Sequence, residues 1–216
     1  MPLGLGKANL VVNALYERAA EDASISLKIV TALTLETPHG TSDLHRRFIE
    51  PIGERLFAGY PELEYARALR KGTLPPNIEV NEFFLLAGRW LGVPAAQQSY
   101  ISTNYTHAAE YVMAQGVNVI AHLVAKAQNA FSLSCNPDVT PDLLVARKAG
   151  RCDFHLVGQV NDKLPFMEGD AAVPASDFSY ILDGPGISHT LYGTPKLPVS
   201  LNDHATGLHK IGRAHV

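Results

Sequence analysis

The stretch from Val117 to Val160, VNVIAHLVAKAQNAFSLSCNPDVTPDLLVARKAGRCDFHLVGQV, decides the fold class. Apolar runs at Val117–Ala125 and Phe154–Val160 are typical of buried strands, and Phe131–Leu133 predicts a shorter one. Between them, Pro141–Ala149 has the residue spacing of a helix. Strands that alternate with helices indicate βαβ units, so we expect an α/β fold with a largely parallel sheet flanked by helices.

The same alternation continues towards the N-terminus. Pro2–Gly6 predicts a glycine turn that leads into a helix ending near Ala20, and SLKIVTALTL at Ser26–Leu35 predicts a strand buried on both faces. Further helices are predicted at Asp43–Phe57, Pro61–Lys71, Asn81–Leu91 and Thr106–Gln115.

Aromatic residues in this part of the chain are expected to serve packing. Within the predicted Asn81–Leu91 helix, Phe84, Ala87 and Leu91 would line one face. The aromatic side chains predicted to lie in the core are Tyr65, Phe83, Phe84 and Trp90. Beyond Asn161, the frequent prolines and glycines up to Pro198 predict long loops with short strands.

Composition excludes several classes of function. The chain has 216 residues, 46% of them hydrophobic and 18% charged, with a formal net charge of -3. No basic surface for nucleic acid or for an anionic membrane is expected, and the longest apolar run, Val117–Ala127, is too short to span a bilayer. Two cysteines form no disulfide framework and no secretory signal is recognised, so we expect a cytoplasmic location.

Gly4-Leu5-Gly6-Lys7, at the start of the first helix, is the first candidate site. Glycines allow a backbone to approach an anion, and a helix N-terminus presents unpaired N–H groups to a phosphate. Two glycines and a lysine match neither nucleotide-binding fingerprint, so a simple tight turn remains the alternative.

Ser134-Cys135-Asn136-Pro137-Asp138, between a predicted strand and a predicted helix, is the strongest local candidate, because ligands of α/β proteins bind at strand ends. A nucleophilic Cys135 would require a nearby histidine, and His107, His122 and His155 are the candidates. The alternatives are an inert cysteine and a turn stabilised by its own side chains.

Neither a metal site nor a pair of catalytic carboxylates is predicted. The nine histidines show no paired helical spacing and no accompanying carboxylate cluster. The glutamates without a partner that would indicate acid/base function are Glu36, Glu50, Glu79, Glu82, Glu110 and Glu168.

Several strings, in their order and spacing, resemble the N-terminal half of the acetyl-CoA hydrolase/transferase family, of the acetate or succinate CoA-transferase type. The strings are GLGKANLVVNALY at 4–16, YISTNYTHAA at 100–109, SLSCNPDVTPDLL at 132–144, GQVNDKLPFMEGDA at 158–171 and SLNDHATGLH at 200–209. The resemblance implies a CoA-transferase-like N-terminal lobe in a protein of two related α/β lobes with the active site between them.

The resemblance also implies the chemistry. A glutamate carboxylate attacks the acyl-CoA, and an enzyme glutamyl-CoA thioester then passes CoA to a small carboxylate or to water. That glutamate belongs to the C-terminal half, so no residue of this chain is predicted to be catalytic. Coenzyme A is expected as a substrate, with no permanently bound cofactor, and the full-length protein as a homo-oligomer. The residues expected to line the cleft are Gly4, Gly6, Lys7, Asn104, Tyr105, Ser134, Cys135 and Asn136.

Residues 1–210 are expected to form an incomplete N-terminal lobe. Read backwards through the genetic code, the last six residues, Ile211–Val216, can be encoded by ATC-GGA-AGA-GCA-CAC-GTC, a string that resembles a short-read sequencing adapter. With neither cap nor amphipathic period, these residues are expected to complete no element and to form a non-native tail. The alternative is a natural, solvated C-terminus. Two other interpretations stay open: a noncatalytic subunit of a two-chain CoA-transferase, and an independent thiol hydrolase using Cys135. The acyl group and the choice between hydrolysis and transfer also stay open.

Overall fold

The computed structural model describes residue 2 and residues 4–128, 130–191 and 198–213, with the side chains of 211–213 excepted. The helices are α1 (Asn9–Glu21), α2 (Asp43–Phe57), α3 (Glu64–Lys71), α4 (Pro94–Gln98), α5 (Tyr105–Ala114), α6 (Thr140–Lys148) and α7 (Leu201–Arg213). The strands are β1 (Leu27–Thr31), β2 (Ile78–Glu82), β3 (Val119–Lys126), β4 (Ala130–Ser132), β5 (His155–Val160), β6 (Ala172–Pro174) and β7 (Tyr180–Leu182).

The described strands form two sheets. In the first, β1 and β2 are parallel, in a register that pairs Leu27 with Ile78 and Thr31 with Glu82. The second has the order β6-β4-β3-β5-β7, in which β3, β5 and β7 are parallel while β4 and β6 are antiparallel. The expected α/β fold is confirmed, with parallel strands at its centre and an antiparallel edge that makes the larger sheet mixed.

β3 forms the centre of the molecule, because six of its eight residues are buried and helices cover both of its faces. One hydrophobic cluster joins β3 and β5 to α5 and α6, and includes Ile120, Val124, Leu143 and Leu156. A second cluster joins α1 and α3 to β1 and β2. Both clusters contain residues of β1 and β3, namely Val30 and Ile120 in the first and Ile29 and Ala121 in the second, so the two sheets meet at these strands.

Most predicted elements are present within a few residues of their predicted ends. α1, α2, α3, α5 and α6 form where helices were predicted, and β1, β3, β4 and β5 where strands were predicted. The described part of 161–198 contains only short strands and single 3₁₀ turns between loops, as its prolines and glycines indicate.

The predicted helix at Asn81–Leu91 is wrong. Ile78–Glu82 forms β2, and the chain then turns through Gly88 and Gly92, both at positive φ. Pairing with β1 satisfies the backbone of this segment and buries its apolar residues, which overrides the helical spacing.

The predicted face of that helix is wrong for the same reason, since Phe84 is 51% exposed and Leu91 is 75% exposed. Tyr65, Phe83 and Trp90 are buried as expected.

The C-terminal helix extends further than expected. The backbone of Ile211–Arg213 continues α7, where no element was predicted, while 214–216 lie outside the described residues. Of the helices in the described part of the chain, none has the length and apolar character needed to cross a membrane.

Candidate functional site

The glycine turn at Gly4–Gly6 lies at the carboxyl end of β1 and leads into α1. The backbone N–H of Gly4 donates to the carbonyl oxygen of Leu33 at 3.2 Å, two residues beyond the strand. Gly4 has a φ of +43°, a conformation that a residue without a Cβ adopts at low cost. The predicted turn is therefore present at the strand ends, where α/β proteins bind ligands.

Lys7 directs its side chain into the protein and not into solvent. The residue is 1% exposed, and its ammonium group donates to the carbonyl oxygen of Pro2 at 2.7 Å, to Thr31 Oγ1 at 2.6 Å and to the carbonyl oxygen of Ala32 at 2.5 Å. Burial lowers the pKa of Lys7 to about 8, although the carboxylates of Glu82 and Asp138 oppose that change. Lys7 thus ties the glycine turn to the end of β1.

Glu82 ends β2 on the same side of the molecule and is 4% exposed. Its Oε1 accepts hydrogen bonds from Thr34 N at 3.0 Å and from Thr34 Oγ1, and Thr34 Oγ1 also bonds Tyr65 OH at 2.8 Å. Burial raises the pKa of Glu82, and the attraction of Lys7 and the bonds from Thr34 partly offset that rise. Burial also raises the pKa of Tyr65, so Tyr65 is a neutral partner.

The 134–138 segment meets the glycine turn. Ser134 and Asp138 both have positive φ, and Ser134 is fixed by bonds from its N–H to Ser132 Oγ at 3.0 Å and from its Oγ to the carbonyl oxygen of Pro165 at 2.8 Å. A Cβ placed on Gly6 would lie 2.9 Å from the Cβ of Asn136. Two stretches separated by more than a hundred residues in sequence are therefore in direct contact.

Asn104 and Tyr105 lie at the N-terminus of α5, on the far side of Asp138. Asn104 Oδ1 accepts from His107 N at 3.2 Å and so caps the helix. The Tyr105 hydroxyl donates to Asp138 Oδ1. Burial is the main cause that raises the pKa of Tyr105, and the carboxylate of Asp138 raises it further. Tyr105 joins the cluster through Asp138, whereas Asn104 has a structural bond within its own turn.

Cys135 is exposed, and its thiol lies 3.9 Å from Asn136 Oδ1. The three candidate histidines have other partners for Nδ1, namely Asn104 Oδ1 for His107, the Leu123 carbonyl oxygen for His122 and Ser179 Oγ for His155. The hydrogen bonds of the described residues therefore do not form a cysteine–histidine pair.

His122 is enclosed at the centre of β3, close to the backbone of Asn136. Its Nδ1 lies 2.7 Å from the carbonyl oxygen of Leu123, so Nδ1 carries the proton, and Nε2 has no hydrogen-bond partner in the part of the chain that the structure describes. Burial lowers the pKa of His122 to about 4. The imidazole is therefore neutral at pH 7.

The N-terminus of α1 is partly occupied by the protein itself. Gln159 Oε1 accepts from Leu10 N at 3.0 Å and approaches Val11 N at 3.5 Å. An anion at this position would therefore use the turn before the helix and not the amides of Leu10 and Val11. Across the described residues, no group of three or more histidine, cysteine, aspartate or glutamate side chains is placed to hold a metal ion.

The arrangement brings together Gly4, Gly6, Ser134, Cys135 and Asn136 at one edge, with Tyr105 joined through Asp138. Sequence reasoning included Asp138 in its candidate segment, missed Thr34 and Tyr65 as members of this cluster, and dismissed Glu82. The sequence did contain a signal for Glu82. Ile78 and Val80 alternate with polar residues, as in a strand, and a charged residue at the end of such a strand fits a position in a polar cluster.

Comparison with protein-family models finds no match, and comparison with curated protein sequences finds none either. Solved structures do match. RipA from Yersinia pestis has 17% sequence identity and a TM-score of 0.61, over 99% of this chain and 42% of that chain. A point mutant of RipA has 16% identity, a TM-score of 0.62 and the same coverage.

A 4-hydroxybutyrate CoA-transferase from Porphyromonas gingivalis matches with 16% identity and a TM-score of 0.37, over 82% of this chain and 38% of that chain. Such a score carries no argument about this chain. The RipA likeness does establish the fold: this chain has a CoA-transferase-like α/β fold and spans less than half the length of the RipA chains that it matches.

Proposed function

We propose that this chain is the N-terminal lobe of a CoA-transferase-type enzyme that moves CoA between a short-chain acyl-CoA and a carboxylate. The observation that carries the proposal is the match of nearly the whole chain to the CoA-transferase-like fold of RipA. The contact between the glycine turn and Asn136 also supports it, because it brings two candidate segments together at the strand ends, where α/β proteins bind ligands.

In the proposed reaction, a glutamate carboxylate from a C-terminal half attacks the thioester carbonyl and expels the CoA thiolate, which leaves a mixed anhydride. The thiolate then attacks the glutamyl carbonyl and releases the carboxylic acid as its anion. An incoming carboxylate reverses these two steps and leaves as the new acyl-CoA. This chain would contribute the side-chain amide of Asn136, whose N–H groups stabilise negative charge on the carbonyl oxygen.

Exposed apolar side chains support the presence of a partner that covers them. We propose that this partner is the C-terminal half. Leu44 and Phe48 lie one turn apart on α2 and are both exposed. Apolar residues grouped in this way on a surface are typical of an interface. A cytoplasmic location and homo-oligomerisation of the full-length protein remain predictions.

Calorimetric titration of the 216-residue chain with acetyl-CoA tests the proposal. We expect measurable binding, which Asn136→Ala weakens by about tenfold, equivalent to roughly 1.4 kcal/mol. Asn202→Ala, on exposed α7, is the matched control and should leave the affinity unchanged. Failure of the unchanged chain to bind millimolar acetyl-CoA, or equal affinities of the two variants, would contradict the proposal.

A transfer assay separates the remaining interpretations. With acetate and succinyl-CoA, the chain alone should show no turnover, because the nucleophilic glutamate is proposed to lie elsewhere. Hydrolysis of acetyl-CoA by the chain alone, abolished by Cys135→Ser, would instead favour a thiol hydrolase. Transfer that appears only when a separate glutamate-bearing chain is added would favour the noncatalytic-subunit interpretation.

A further inference from the structure

Backbone strain in the described part of the chain is grouped around the glycine turn. The non-glycine residues with positive φ in that part are Leu33, Ser134 and Asp138. The carbonyl oxygen of Leu33 accepts a hydrogen bond from Gly4 N, and Ser134 and Asp138 flank the residue that contacts Gly6. A residue with a Cβ adopts this conformation at a cost in free energy, and such residues cluster at ligand sites. The grouping therefore indicates a ligand site shaped by the fold at this turn.

Leu33 is held in its left-handed conformation by bonds from several segments. Its N–H donates to the carbonyl oxygen of Phe84 at 2.7 Å, and its carbonyl oxygen accepts from Gly4 N at 3.2 Å. The residues on either side of it are bonded to the Lys7 ammonium group and to the Glu82 carboxylate. The conformation is therefore imposed by the fold, since leucine itself does not favour it.

The side chains of Leu33 and Leu35 lie against the glycine turn. A Cβ placed on Gly4 would lie 3.8 Å from Leu35 Cδ1 and 3.9 Å from Leu33 Cδ2. Both leucines are only half-buried, and neither belongs to a hydrophobic cluster of the described residues. These two side chains form an apolar wall beside the turn, and the described core does not use that wall for its own packing.

The charged groups next to this wall are already engaged within the protein. Lys7 donates its hydrogen bonds to three protein oxygens. Glu82 is bonded to Thr34, the residue between the two leucines, and adds a negative charge there. A ligand carboxylate placed against the leucines would lose its hydration without gaining a partner, whereas a hydrocarbon group would gain from burial.

We propose that Leu33 and Leu35 bind the acyl chain and select an uncharged group, such as butyryl, over one that ends in a carboxylate, such as succinyl. This inference rests on the proposed function, in which Asn136 binds the thioester carbonyl oxygen, and adds the class of acyl group. Asn136 contacts Gly6, and residues two apart in a 3₁₀ turn are separated by about 4 Å along its axis, so the wall beside Gly4 lies within reach of the acyl chain.

Calorimetric titration of the 216-residue chain compares butyryl-CoA with succinyl-CoA. The two acyl groups have the same number of carbons, and one ends in a methyl group where the other ends in a carboxylate. We expect butyryl-CoA to bind more tightly by about tenfold or more.

Leu33→Asn removes the apolar side chain but keeps a residue type that tolerates the left-handed conformation. It should reduce the affinity ratio to about threefold or less by weakening butyryl-CoA alone, with the affinity for free CoA unchanged within about twofold. Leu35→Gln is the second variant, at a position without positive φ, and should lower the ratio in the same way. Leu208→Asn, on exposed α7, is the matched control and should keep the full ratio.

Equal affinities of the unchanged chain for the two thioesters, or a ratio that both variants leave unchanged, would overturn this inference and leave the proposed function standing. Equal losses of affinity for butyryl-CoA, succinyl-CoA and free CoA in the variants would also overturn it, because that pattern indicates a structural role. Failure of the unchanged chain to bind either thioester would contradict the proposed function itself, and this inference with it.

Discussion

Lys7 is a buried cation whose three hydrogen-bond acceptors come from Pro2, Thr31 and Ala32. Removal of its ammonium group leaves those buried oxygens without a donor and leaves Glu82 without its main electrostatic attraction. We therefore expect Lys7→Met to lower the free energy of unfolding by about 2–4 kcal/mol, measured by urea denaturation at pH 7.

A double-mutant cycle tests whether Lys7 and Glu82 act as a unit. Glu82→Gln keeps an acceptor for Thr34 but removes the charge, so the loss in the Lys7→Met, Glu82→Gln protein should be smaller than the sum of the single losses. Losses that add within about 0.5 kcal/mol would contradict the coupling.

His122 makes the folded protein sensitive to acid. Its pKa in the fold is about 4, against an ordinary 6.5, so between these values the unfolded chain binds more protons than the folded one. Stability should fall as the pH drops through this window, by up to about 3 kcal/mol from this residue. Urea denaturation between pH 7 and pH 4 should show a shallower fall for His122→Gln than for the unchanged chain.

His39→Gln is the control for that measurement, because His39 has an exposed side chain. It should retain the pH dependence of the unchanged chain. A His122→Gln protein with the same slope as this control would show that the buried imidazole does not titrate as described.

Residue types alone could not show which polar side chains face inwards. Lys7 is expected to line a cleft from the family resemblance alone, and its neighbours in the fold are carbonyl and hydroxyl oxygens of the protein itself. Glu82 was dismissed because its partner Thr34, which also bonds Tyr65, is brought to it by the fold and not by sequence spacing.

At the scale of elements, helices with a regular apolar spacing were predictable and the segment around β2 was not. Asn81–Leu91 has a helical period, yet Ile78–Glu82 pairs with β1, and the loop that follows leaves Phe84 exposed. Strand pairing is a long-range effect, so a local period cannot reveal it. The same reason explains why the meeting of the glycine turn with Asn136 could be expected only from the family resemblance.

Gly6→Ala tests the contact between these two elements. The added Cβ would lie 2.9 Å from Asn136 Cβ and from the ring carbons of Pro2, so the turn or the 134–138 segment has to move. We expect a loss of about 1–3 kcal/mol in the free energy of unfolding, together with weaker acetyl-CoA binding. Gly207→Ala, in a helix with open space around the glycine, is the matched control and should cause no loss. Equal stability of the two variants would exclude a close contact at Gly6.

At the scale of the whole molecule, alternation of strands and helices predicted the fold class correctly. It could not predict the division into two sheets, because β1 and β3 each have the sequence of a central strand but belong to different sheets, with an apolar cavity between them. A continuous run of apolar residues indicates that a strand is buried on both faces, but it does not indicate which strands lie beside it.

The contribution of α7 to the whole molecule gives the last prediction. Residues 201–210 are all exposed, so the described side chains of this helix belong to none of the hydrophobic clusters. The described side-chain bonds that support its start join Ser200 to Asp203. A helix of 13 residues without tertiary packing is marginal in water. Deletion of residues 201–216 should therefore change the thermal midpoint by less than about 1 °C in calorimetry, since roughly 2–4 °C corresponds to 1 kcal/mol in a protein of this size. A fall of about 3 °C or more would mean that α7 packs against the domain in solution and that its exposed face is part of the stable fold.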